Sequence, residues 1–337
     1  MFIDLFKAFD TVDHKIVMKK MYHYGIRRIV LDWFTNYLCN QKQYVSINNV
    51  NSNMLPVACG VPQSAILGSL LFILCINDIT IISKLAELIT FVDDTNLFFK
   101  HANISELFVN VNNELQEISK WFKLNKLSLN IKKNNFIMFS NKNKIINTES
   151  LNVLIDNIVI DQVHNTKFVD VIINSNLTWH DHIKAISSKV NKSTGILLRR
   201  RKNVPNDVLL TLYHTLIEPY FSYCNIIWGT YCSKHFDQLY HKQIKVIRII
   251  AKWNAHTAPL FRDFQLLSIF NLNKLQTCCF MYKFSDCLLP TVFQNLFTLN
   301  SNVHKTRQSS ILHVISQNKF SCIQYTNLWC QVMEYVE

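Results

Sequence analysis

From Phe6 the apolar positions Phe9, Val12, Ile16, Val17 and Met21 keep helical spacing until Gly25, which predicts a helix closed by a glycine. Met1 to Ile3 forms a short apolar run suited to the end of a buried strand, so Asp4 falls at a strand-to-helix junction. Ile29 to Leu38 predicts a second helix, and Tyr44 to Ile47 and Leu55 to Ala58 predict strands around an Asn-rich turn. Gly60-Val61-Pro62-Gln63 reads as a loop, after which Ile66 to Ile79 continues as an apolar helix.

Leu88 to Val92 predicts a strand that breaks at Asp93-Asp94 and resumes as Asn96 to Phe99, a hairpin signal. Glu106 to Trp121 is amphipathic, with Leu107, Val111, Leu115 and Ile118 on one stripe, and Asn135 to Phe139 predicts a closing strand. Strand, helix, hairpin, helix, strand is the order of a split βαβ sheet with helices on one face, an α+β fold. Val153 to Ile160 and Phe168 to Ile173 predict further strands, and from about His182 the pattern is helical. The change sets a domain boundary near Leu177, giving residues 1–177 and 178–337.

Composition narrows the classes. With 337 residues, 49% hydrophobic and 17% charged, the chain can bury two or three cores and is not a disordered tail. A formal charge of +12 favours a polyanionic partner, either nucleic acid or an anionic membrane surface. The most apolar stretch, Ile66 to Ile76, is too short to span a bilayer, and there is no clear basic amphipathic helix, so the membrane reading ranks last. Acidic Asp4 stands where a secretory signal carries basic residues, and the ten cysteines form no CxxC pair. Both point to an intracellular protein, nuclear or cytoplasmic, with reduced core cysteines.

Two adjacent acidic residues inside an apolar strand pattern are costly to bury unless they form a turn or hold metal. If the first strand and the hairpin are sheet neighbours, Asp4, Asp93 and Asp94 converge. Three carboxylates repel one another unless cations neutralise them, and hard oxygen ligands suit Mg²⁺. Two such ions can activate an attacking 3′-hydroxyl and stabilise a leaving pyrophosphate. Taken alone, Asp93-Asp94 also fits a solvated turn, Asp4 a helix cap, Phe9 a core aromatic, and Asp10 and Asp13 first-turn helix charges.

Four blocks together resemble the reverse transcriptases of non-LTR retrotransposons, close to the jockey group. They are Phe2-Ile3-Asp4-Leu5-Phe6-Lys7-Ala8-Phe9-Asp10, Gly60-Val61-Pro62-Gln63, Phe91-Val92-Asp93-Asp94 and Lys126-Leu127-Ser128-Leu129-Asn130. Similarity extends through Asn176-Leu177-Thr178-Trp179 to Tyr223-Cys224-Asn225-Ile226-Ile227-Trp228-Gly229. The resemblance implies a polymerase palm with grip strands around Phe168, then a helical thumb. It implies that Asp4, Asp93 and Asp94 hold two Mg²⁺ ions with the Leu5 carbonyl. It implies that Phe9 is the gate against a 2′-hydroxyl, that Gln63 lines the nucleotide, and that Lys133, or Lys132 beside it, protonates pyrophosphate. The implied partners are an RNA template, a DNA primer and deoxynucleoside triphosphates.

Some features depart from that pattern. The first block begins at the start of this sequence, without the fingers and endonuclease that family members carry ahead of it. Ser64-Ala65 stands for Gly-Ser, Ser69 for a proline, and Asp170 for a glycine at the grip. The expectation is therefore an impaired polymerase, with a non-catalytic nucleic-acid-binding relic as the alternative.

Overall fold

A computed structural model describes residues 1–39, 41–63, 65–139, 151–229, 233–252, 257–290, 293, 297–299 and 312–314. The chain divides into two compact units, Met1–Val169 and Asp170–Glu337. The division falls ahead of Leu177 because Val171 packs with Trp179 and Ile183 in the second core.

In the first unit, residues 6–25 do not make one helix. A 3-10 turn, Ala8–Asp10, precedes the α-helix His14–His23. The break comes from Asp13, whose carboxylate caps the helix by accepting from the Lys15 and Ile16 N–H groups. Lys126 Nζ lies 2.6 Å from the same carboxylate, and this bond, foremost, holds Asp13 below the usual carboxylate range. The expected helix 66–79 also splits, into Ile66–Ile76 and Ile79–Ile82. Lys20 Nζ donates to the Cys75 carbonyl and to Asp78 Oδ1, both at 2.6 Å, and pins the chain at that break.

The longest described helix of the first unit, Ile104–Leu124, buries Phe108, Val111, Leu115, Ile118 and Phe122 on one stripe. It starts two residues earlier than periodicity alone suggests, because Asn103 accepts from the Ser105 N–H and caps it. The six-stranded sheet runs Glu87–Phe91, Asp94–Phe98, Phe2–Ile3, Asn135–Phe136, Ile158–Gln162, Val153–Ile155. Its first four strands are antiparallel, and Asn135–Phe136 lies parallel to Ile158–Gln162. The expected strand 153–160 is a hairpin turning at Asp156 and Asn157, both with positive φ. Residues 42–56 form two short pairs, with Asn48 and Asn49 at the inner turn.

Among its described residues the second unit is helical apart from short strands. His180–Arg200, Asn206–Leu216, Ser233–Ile250 and Ile269–Ser285 are its long helices. Its core holds Val190, Leu197, Leu209, Phe221, Trp228 and Leu239. Three buried amides bind the helices by hydrogen bonds. Gln243 donates to the Tyr213 hydroxyl at 2.8 Å and accepts from the Ile269 N–H at 2.9 Å. Asn273 Nδ2 donates to Asn225 Oδ1 at 2.8 Å, while Asn225 Nδ2 donates to the Phe221 carbonyl.

Gly229 lies against that amide pair. A Cβ there would come within 2.1 Å of Asn225 Oδ1 and 2.6 Å of Asn273 Nδ2. Gly229→Ala is therefore expected to lose roughly 2–3 kcal/mol by overpacking and a broken buried hydrogen bond, read from the urea midpoint. An unchanged midpoint would show that the pair can yield.

The cysteine reading holds in part. Cys39, Cys59, Cys75, Cys224, Cys278, Cys279 and Cys287 are free thiols, yet of these only Cys75 is buried. Burial pushes its thiol up to about 11. Among the described residues no helix is long and apolar enough to cross a membrane.

Candidate active site

The strand Phe2–Ile3 pairs antiparallel with Asp94–Phe98, Phe2 opposite Asn96 and Ile3 opposite Thr95. Residues opposed across an antiparallel ladder share a face, so Asp4, one step beyond Ile3, comes beside Asp94. The hairpin closes with Phe91 opposite Asp94. Its loop is thus Val92-Asp93, not Asp93-Asp94, and Asp94 belongs to the strand. Val92 takes φ 54°, a costly conformation for a β-branched residue.

The three carboxylates are electrostatic neighbours. Partial desolvation raises the Asp94 carboxyl above its ordinary range, and the charges of Asp93 and then Asp4 raise it further, while Lys167 opposes the rise. Among the described residues, no three His, Cys, Asp or Glu side chains are gathered closely enough to hold a metal ion. Mg²⁺ does not need such a cage, because it binds through one or two carboxylates and keeps waters and substrate phosphates. The donor set is all hard oxygen and its charge is unfavourable without a cation. Both properties fit a divalent ion.

Lys133 and Lys132 separate clearly. Lys133 Nζ lies 3.7 Å from Asp4 Oδ2, whereas Lys132 lines a different groove with Phe6, Ile158 and Asp161. Leu5 is buried and bridges to Leu129. The hydrogen bonds flanking that bridge use the carbonyls of Asp4 and Ser128, not that of Leu5.

The first and second blocks interlock. Gly60 N–H donates to the Val12 carbonyl, Val61 N–H donates to the Phe9 carbonyl, and His14 Nε2 meets the Gly60 carbonyl at 2.7 Å. Gly60 has φ 91°, and a Cβ on it would reach within 2.9 Å of the Asp10 carbonyl. Phe9 is half-buried, its ring tilted on Phe72 at 5.1 Å. Gln63 Nε2 donates to Asp10 Oδ1 at 2.8 Å, so Asp10, an acidic residue in the turn Ala8–Asp10, is also a partner of the loop. Asp10, His14, Gly60, Val61 and Gln63 face a groove of about 900 Å³ that also takes in Tyr37, Gln41 and Cys59, and Phe9 does not line it. Ser64 lies outside the described residues.

A family model described as reverse transcriptase (RNA-dependent DNA polymerase) matches residues 1–184, more than half of the chain. The chain belongs to the reverse transcriptase family. The probable RNA-directed DNA polymerase from transposon X-element of Drosophila melanogaster is 25% identical over 285 residues, covering 81% of this chain and 31% of that protein. The RNA-directed DNA polymerase from mobile element jockey of the same species is 23% identical over 281 residues, 79% of this chain and 30% of that one. The chain therefore spans about a third of the length of these curated relatives. Telomerase from Candida albicans, solved with a fragment of telomeric RNA, aligns at 13% identity and TM-score 0.30, covering 87% of this chain and 48% of that one.

For this reverse transcriptase domain, sequence reasoning left four residues without a role, three of them around the carboxylates and one at the Gly60 loop. Asn130 and Asn134 bond Asp4, Lys167 faces Asp94, and His14 holds the Gly60 loop. Asn130 had a signal, since it closes the fourth block. Lys167 had none, because only the fold carries it to the hairpin. The strands expected to form a grip lie at the end of the first unit and the start of the second: Asn165–Phe168, with Phe168 against Phe2, and Val171–Asn174. Asp170 has φ 63°, the conformation for which a glycine is suited.

Proposed function

We propose that the chain carries the palm, and in its second unit the thumb, of an RNA-directed DNA polymerase of a non-LTR element. The observation that carries this reading is the pairing of strand Phe2–Ile3 with Asp94–Phe98, which brings Asp4 beside Asp94. Asp4, Asp93 and Asp94 would hold two Mg²⁺ ions, with the Leu5 carbonyl as a further oxygen. Bound there, the ions would neutralise the carboxylates and lower the cost of charge on the primer 3′-oxygen and the leaving pyrophosphate.

The protein's own groups would do the rest. Phe9, braced by Phe72, would leave no room for a 2′-hydroxyl, and so would select deoxynucleoside triphosphates. Gln63, held by Asp10, would line the base and sugar. Lys133, exposed on a long side chain, would release Asp4 and give its proton to pyrophosphate. The RNA template and DNA primer would supply the polyanion that a charge of +12 favours.

With Ser64-Ala65 in place of Gly-Ser, extension by this chain is expected to be slow. Mg²⁺ titrated by calorimetry tests the site directly: binding that disappears in Asp4→Asn is expected, and absence of binding would overturn the reading. Primer extension on an RNA template should vanish in Asp93→Ala, Asp94→Ala, and extension indifferent to that change would be equally fatal. A second reading, a non-catalytic nucleic-acid-binding protein, is favoured by the lysine charges that already face Asp4 and Asp94. It is the one that survives if Mg²⁺ does not bind.

A further inference from the structure

Asp4 is bonded at three atoms by one turn, residues 130–134. Its N–H donates to Asn134 Oδ1 at 2.8 Å, and its carbonyl accepts from the Asn130 N–H at 2.9 Å. Its carboxylate Oδ2 accepts from Asn130 Nδ2 at 2.8 Å. The turn is closed on itself, because the Lys133 and Asn134 N–H groups both donate to the Asn130 carbonyl. Asn134 is only 3% exposed, which anchors the far end of the turn in the protein.

We propose that Asn130 is a positioning residue for Asp4, fixing its carboxylate so that Oδ2 is engaged and Oδ1 is presented to a divalent cation. This rests on the polymerase reading above. Two groups address Oδ2, and they differ in kind. Lys133 brings a full charge at 3.7 Å on an exposed, flexible side chain, which opposes a second cation. The Asn130 amide brings no net charge, so it sets the carboxylate's orientation while leaving its charge for a metal. Its backbone bond to the Asp4 carbonyl also fixes where that amide sits. A hydrogen-bonded ligand of this kind has fewer orientations to lose on binding, the usual effect of a partner behind a metal-ligating carboxylate.

The test uses the full chain, with Mg²⁺ alone titrated by calorimetry and the melting temperature measured without Mg²⁺. Asn130→Ala is expected to melt close to the parent, since both backbone bonds remain, but to bind Mg²⁺ about 10–100-fold more weakly. Asn130→Ser, which keeps a donor on a shorter side chain, should fall between the two. In primer extension the loss should appear in kcat, with the KM for the nucleotide little changed. Parent-like Mg²⁺ affinity in Asn130→Ala, with binding abolished in Asp4→Asn, would overturn this proposal and leave the polymerase reading standing. No Mg²⁺ binding by the parent would overturn both. If both Asn130 variants melt below the assay temperature, the side chain serves the fold and the proposal is likewise overturned.

Discussion

Asp94→Asn is expected to abolish metal-dependent extension while raising the melting temperature in the absence of divalent ions. The second half follows from the direction of its shift. The Asp94 carboxyl titrates above the ordinary 3.8, because partial desolvation and then the charges of Asp93 and Asp4 disfavour its ionised form. An acid with a raised folded pKa costs nothing in solution more acid than 3.8, where both states carry the proton, costs more as pH rises above 3.8, and costs the full amount once pH exceeds the folded value. The amide cannot ionise. The gain from Asp94→Asn should therefore be full at neutral pH, shrink as pH falls through the folded pKa, and vanish in more acid solution.

Excess Mg²⁺ should reverse the order. In the polymerase reading the parent gains stability from an ion that binds only its folded state, whereas the variant lacks one of the three carboxylates that would hold it. For activity, the partner behind a metal ligand is worth about 10–100-fold, so loss of the ligand itself should cost no less than the upper end of that range. Melting curves with and without Mg²⁺ across pH 3–8 check all of this. A variant that melts below the parent without metal would mean that Asp94 serves the fold by its charge, and that the three carboxylates are not a strained site.

What was legible in the sequence was the order of elements and the company that Asp4 keeps. Alternation and spacing located the hairpin, the long amphipathic helix and the change to helices, because each rests on many apolar positions. The turn was misplaced by one residue. Sequence rules put two acidic residues in a loop before they put a β-branched one there, but the pairing of Phe91 with Asp94 leaves Val92 and Asp93 outside the ladder. The breaks at Asp13 and Asp78 were not legible for a related reason. The apolar period runs through both; the first break is made by the Asp13 cap, to which Lys126 is bonded, and the second is pinned by Lys20, and both lysines are distant in sequence.

The role of Asp10 was hidden in the same way. An acidic residue near a helix start has a local explanation that suffices, and only the folded loop shows Gln63 donating to it. Local patterns report on neighbours three or four positions away. Asp10 and Gln63 are 53 apart, and the contacts of Asp4 with Asn130 and Asn134 span 126 and 130.

The second large effect is expected at Gly68. Judged by helix propensity, Gly68→Ala inside Ile66–Ile76 should stabilise the protein by about 1 kcal/mol. Packing gives the opposite sign. A Cβ at this position would lie 2.0 Å from the Pro62 carbonyl oxygen, a backbone atom that no rotamer change can move aside. The loop cannot retreat freely, since Gly60 and Val61 are bonded to Val12 and Phe9, and Gly60 abuts Asp10. Overpacking of this kind costs about 1–3 kcal/mol and more against rigid backbone, so a net loss of roughly 2 kcal/mol is expected in the urea midpoint. The displacement must pass to Gln63, the next residue, and break its bond to Asp10. In the polymerase reading this raises the KM for the nucleotide while Mg²⁺ affinity at Asp4 stays as it was, because the turn 130–134 is untouched. A stabilised Gly68→Ala variant would show that propensity decides, and that the Pro62 loop is free to move away from the helix.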